Sequence, residues 1–209
     1  MSDRPDLWQM LRGPIQLPDD LLQALIGYHL QPVRYYHNIQ HVISVLEDFR
    51  MLHSMGLWSH PEEVHLAILY HDSIYAYGAA DNEQRSAVLA VCDAQRWLGD
   101  HGLNLEYVHR LIILTASHGS EPEHLSAEEA LFLDCDMAII GSDWRAFDEY
   151  QRQIEQEYTQ VYTRPMYRAG RHRFLNRLYK SERIFFSDHF HQRLNEQART
   201  NLQRALHHR

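Results

Sequence analysis

A histidine and an aspartate stand side by side in Leu66-Ala67-Ile68-Leu69-Tyr70-His71-Asp72-Ser73-Ile74-Tyr75, a run that is otherwise largely apolar. Taking an unpaired carboxylate out of water costs several kcal/mol, so Asp72 in that setting calls for a cation, a hydrogen-bond network or a metal ion. An imidazole nitrogen with a carboxylate oxygen suits Zn, Fe, Mn or Ni, while Mg is less at ease beside imidazole. Upstream, His37 and His41 are four residues apart, which on a helix puts both on one face, one turn apart. Downstream, Leu133-Asp134-Cys135-Asp136-Met137 again sets carboxylates in apolar sequence. Residues two apart on a helix point about 200° apart, so at most one of Asp134 and Asp136 can serve the same ion. A chain with 16 histidines also produces such pairs by chance. The combination carries more than any one pair.

The elements that must position these residues read as helices. Pro18-Asp19-Asp20 opens one with Leu21, Leu22, Leu25 and Ile26 on a shared face, closed by Gln31-Pro32. The next carries Val42, Val45, Leu46, Phe49 and Leu52 inward, with the two histidines at its start. Pro61-Glu62-Glu63 begins a third that delivers His71 and Asp72 at its end, where consecutive side chains 100° apart can still converge. Asp81 is the expected N-cap of a helix from Asn82 to Leu98 with Ala87, Val88, Val91 and Leu98 inward. Glu83, in its first turn, serves either the helix dipole or the site. Leu105 to Ser117 brings Thr115, Ser117 and His118 to a Gly119 terminus, where His118 faces either the dipole or a pocket. Ser126-Ala127-Glu128-Glu129 is a capping-box start for the helix through Asp134 and Asp136 to Ile140. After Ser142 the chain continues helical, breaks near Pro165 and resumes after Gly170. Between Arg164 and Arg183 seven basic residues face one acid, Glu182, and this excess either binds phosphate or is a solvated face.

The 209 residues, 44% of them apolar, are expected to form a single domain, 1–209, with a metal-binding core at about 30–141 and helical cover at 142–209. A formal charge of -8 argues against a nucleic-acid polymer or an anionic membrane as partner and favours small molecules. Two cysteines, Cys92 and Cys135, give no disulfide framework or zinc-finger spacing and point to a reducing cytoplasm. Neither a signal peptide nor a membrane span of roughly 18 apolar residues is legible.

The order His41, His71-Asp72, Asp136 resembles the HD superfamily of metal-dependent phosphohydrolases. The motifs YHNIQH, LYHDSIY, DNEQRSA, TASH, LFLDCDMAIIG, QEYTQV, GRHRFL and NEQARTNL, in that order, resemble a bacterial family of predicted HD phosphohydrolases over nearly the whole chain. The resemblance implies an all-α fold, an HD-domain helical bundle with additional C-terminal helices. It implies His41, His71, Asp72 and Asp136 as ligands of a divalent ion (Mn, Mg, Fe, Zn or Ni), with Asp72 placed to bridge two ions. The choice of Asp136 over Asp134 also comes from it. The segment Tyr36 to His41 is similar to the corresponding motif of cyclic-nucleotide phosphodiesterases, which makes His37 the general acid. The expected activity is hydrolysis of a phosphate ester, a nucleotide included, with His37, Asp72 and Glu83 catalytic. His118 and Arg171 are expected at the substrate, Arg171 on its phosphate and His118 also as a support for the ligands or a second ion. The competing readings are a non-catalytic HD module that binds metal or nucleotide and regulates a partner, and an HD-fold di-iron oxygenase with His118 as an extra ligand.

Overall fold

The computed structural model describes residues 7–99, 102–118 and 124–207, and among these there are ten α-helices, one short 3-10 helix and no strand. The fold is all-α. Gly119 lies outside the described residues. Among the described residues no helix is long and apolar enough to cross a membrane. The chain divides into two compact units, Met1–Ala116 and Ser117–Arg209, a division that falls inside the 30–141 segment.

The first unit comprises α1 (Leu7–Leu11), α2 (Asp19–His29), α3 (Ile39–Ser54), α4 (Pro61–Tyr70), α5 (Asn82–Trp97) and α6 (Leu105–Thr115). Its axis is α4, in which every residue from Glu63 to Tyr70 is buried, and α3, α5 and α6 pack around it. A helix apolar on all sides is stable only when enclosed in this way. Its polar members are therefore tied down: Glu63 accepts from the Asn104 amide at 3.0 Å, and His65 Nε2 donates to the Leu11 carbonyl at 3.0 Å. The His65 ring sits so close that a Cβ on Gly13 would fall 2.4 Å from it.

Two readings of this unit change. His37 precedes α3 instead of sharing a helical face with His41, because Asn38 caps the helix, its side chain accepting from the Gln40 amide at 2.8 Å. Val88 is 49% exposed. The inward face of α5 is built from Ser86, Ala87, Ala90 and Ala94, small residues that let α5 lie close against α6, and Val88 is turned about 100° from Ala87.

The second unit comprises α7 (Ala127–Met137), a 3-10 turn (Ala138–Gly141), α8 (Trp144–Tyr158), α9 (Arg164–Lys180) and α10 (Asp188–His207). The capping box at Ser126 and Glu129 forms as read. The α-helix ends three residues before Ile140, however, since the chain tightens at Ala138, and Gly141 is pressed against Leu194 of α10 with no room for a Cβ. Asn201 of α10 donates to the carbonyls of Ile140 at 3.0 Å and Ser142 at 2.8 Å and fixes that turn. The chain does break near Pro165, between Tyr158 and Arg164, but it resumes at Arg164 and not after Gly170, and Pro165 belongs to the new helix. It stands in the first turn of α9, where its missing N–H would be unpaired anyway, and α9 runs through Gly170.

Candidate metal centre

In the first unit the end of α4 and the start of α3 bring three of the expected ligands together. α4 closes at Tyr70, with His71 as its C-cap and Asp72 in the turn beyond. His71 Nδ1 lies 2.8 Å from the Ile68 carbonyl, which can only accept, so that nitrogen carries the proton and Nε2 presents a lone pair. His41 Nε2 lies 3.0 Å from His71 Nε2, His71 Nε2 lies 3.2 Å from Asp72 Oδ2, and His41 Nε2 lies 3.5 Å from Asp72 Oδ2.

These separations decide what the trio can hold. Ligand bonds of about 2.0–2.2 Å in a tetrahedral or octahedral shell place neighbouring donor atoms about 2.8–3.6 Å apart. All three edges fall in that interval. Two imidazole nitrogens and a carboxylate oxygen fit a divalent transition ion, and both histidines are buried. Burial pushes the Asp72 carboxyl up, but the positive charge that His71, His37 and His41 carry when protonated outweighs it and holds the carboxyl well below the usual carboxylate range. The ionised, ligating form is the one this surrounding favours.

His37 borders the trio, its ring centroid 6.1 Å from that of His41 and stacked on Tyr75 at 4.1 Å with a 20° interplanar angle. The loop carrying it is clamped by Arg34, which reading the sequence did not single out. That buried guanidinium donates to the His37 carbonyl at 3.1 Å, to the Asp72 carbonyl, and to the Ser73 carbonyl at 2.9 Å. One rigid fork thus joins the segment before α3 to the turn after α4. On the far side of that turn, Ser86 Oγ accepts from the Ile74 amide at 3.0 Å, and the Asn82 side chain bonds both the amide and the carbonyl of Ala76. The only sequence signal for Arg34 is a cation in a short non-helical stretch between two helices. Glu83 stands half-buried in the first turn of α5 and makes no hydrogen bond or ion pair among the described residues.

No family model, curated protein or solved structure matches the chain.

The remaining candidates belong to the second unit. Asp136, in the last turn of α7, meets His118 Nε2 at 2.6 Å through Oδ2. Thr115, at the end of α6 in the first unit, turns its hydroxyl back to the Ile112 carbonyl at 2.7 Å. Asp134 is 1% exposed and accepts three hydrogen bonds, from the amides of Phe186 at 2.8 Å and Ser187 at 2.7 Å and from Ser187 Oγ at 2.6 Å. Its carboxylate secures the turn that starts α10. Burial pushes it up to about 6, against the pull of those donors. Arg171 packs its guanidinium against Tyr150 and Phe174, at 4.8 and 5.0 Å, with Nε donating to Gln151 Oε1 at 2.8 Å.

Proposed function

We propose that the chain is a metal-dependent phosphohydrolase of HD type acting on a small phosphate ester, nucleotides included. The observation that supports this most is the set of three donor atoms, His41 Nε2, His71 Nε2 and Asp72 Oδ2, spaced 3.0, 3.2 and 3.5 Å apart on the first unit's buried helix ends. The reading takes those three as ligands; Asp136 enters it from the resemblance alone. A divalent ion held there supplies Lewis-acid stabilisation of charge on a phosphoryl oxygen and acidifies water.

The chain's own groups supply the rest. His37 is the general acid, because an imidazole titrates near neutrality and protonating an alkoxide leaving group removes the charge that slows its departure. The stack on Tyr75 fixes the plane of that ring, and the Arg34 clamp fixes the backbone on both sides of it. Asp72 is held ionised by its histidine neighbours.

A screen of phosphate esters with added Mn, Mg, Fe, Zn or Ni tests the activity. His37→Ala should keep the bound metal yet lose roughly 100-fold to 10,000-fold in turnover on alkyl phosphates, and much less on a nitrophenyl ester, whose leaving group departs unprotonated. Equal losses on both esters would remove the general-acid role. Absence of turnover on every ester, with metal still bound, would favour a non-catalytic binding module.

A further inference from the structure

The second unit contains a half-buried cation, Arg171, whose in-plane donors are not all used. Arg171 Nε–H is taken by Gln151 Oε1 at 2.8 Å, but Arg171 Nη2, shielded from water, has no hydrogen-bond partner. Gln151 Nε2 is likewise shielded without a partner, in a residue 1% exposed. Flipping the Gln151 amide offers no escape, since it would set an N–H against the Arg171 Nε–H. Arg171 also makes no ion pair among the described residues.

The rings of Tyr150 and Phe174 stabilise the positive charge through their faces, but in-plane N–H groups need an oxygen. Donors left without acceptors are rare in protein interiors, and a guanidinium without a counter-charge is costly there. None of the α8 acids, Asp148, Glu149, Glu155 or Glu157, forms an ion pair with Arg171 among the described residues, and Asp148 and Glu149 pair with Arg152 at 3.2 and 3.1 Å. Around α9, Arg164 and Arg168 stand within about 60° of Arg171 and add positive potential on the same side.

We propose that the second unit binds a small oxyanion, of the phosphate or carboxylate class, that accepts from Arg171 Nη2 and Gln151 Nε2. Two shielded donors on side chains already joined by the Arg171–Gln151 hydrogen bond, one of them on a permanent cation, suit an anion with two acceptor oxygens. The site is built from α8 and α9 and goes beyond the metal reading, on which it does not depend.

The test uses the full chain in phosphate-free buffer at constant ionic strength, with a chelator present so that no phosphate is retained by an ion. Calorimetric titration with inorganic phosphate should show saturable binding, and the melting temperature should rise with phosphate concentration. Gln151→Glu places a carboxylate beside the guanidinium; it should weaken phosphate binding by at least about tenfold and raise the melting temperature in phosphate-free buffer. Arg171→Lys, which keeps the charge but loses the fork, should also weaken binding, and stands in if the first variant fails to fold. Competition by ribose 5-phosphate identifies a phosphomonoester as an occupant, and competition by acetate alone identifies a carboxylate; either result supports the site. No saturable binding of phosphate or acetate, leaving water as the acceptor, overturns the proposal. So does binding equal to wild type in both variants.

Discussion

Asp72 in the first unit and Asp134 in the second are both acids set in apolar helical sequence, yet their surroundings put them to different uses. Asp134 is met by three protein donors from one short segment, Phe186 and Ser187, so its oxygens are saturated from within. Asp72 is met by two imidazole nitrogens whose geometry matches the edges of a coordination shell. A buried carboxylate is thus assigned as brace or ligand by what faces it, not by the run of sequence that carries it.

Removing each acid sharpens that contrast. Asp134→Ala leaves three donors without an acceptor and should cost about 4 kcal/mol in denaturant unfolding, while Asp72→Ala, compared in chelated protein, should cost far less. Similar losses for both would erase the distinction.

Acidity should act on the two units in opposite directions. In the first unit burial lowers His29 and His65 to about 4 from an ordinary 6.5. The unfolded chain therefore takes up protons that the folded unit refuses, so stability is full above about pH 6.5 and falls by roughly 3 kcal/mol per histidine as pH drops towards 4. In the second unit Asp134 is raised to about 6 from 3.8, so its contribution is full below about pH 4 and is lost, by roughly 3 kcal/mol, as pH rises through 6. Hydrogen exchange, read separately on α4 and on α10 and corrected for intrinsic rates, should show protection falling at pH 4 in the former and rising there in the latter. Parallel trends would contradict these assignments. A smaller effect is expected from Ser187→Ala, which deletes one of the three donors to Asp134 and should cost about 1 kcal/mol by chemical denaturation, with bound metal unchanged.

What was legible in the sequence is what local chemistry decides. Pro61 in the first turn of α4 and the Ser126–Glu129 capping box mark helix starts within a few residues of themselves. The His71-Asp72 pair at the end of an apolar run marks where α4 ends. The four-residue spacing that put His37 on one helical face with His41 was misleading, because Asn38, not read as a cap, starts α3 and leaves His37 ahead of it. Long-range partners left no such trace: Ser187 is 53 residues from Asp134, and Ser73 is 39 from Arg34. The exposed Val88 shows the same limit, since the inward face of α5 was chosen by the small residues that fit against α6 and not by hydrophobicity alone.

The central claim is that His41, His71 and Asp72 hold a divalent ion. Its most direct test is the metal content of the full chain after loading with Mn or Zn and desalting, read by elemental analysis beside circular dichroism. Wild type and Asp134→Asn should retain about one ion or more per chain, Asp136→Asn less, and His71→Ala or Asp72→Ala essentially none, with helical content unchanged in the latter two. Retention of the wild-type amount of metal by folded His71→Ala and Asp72→Ala would contradict the account.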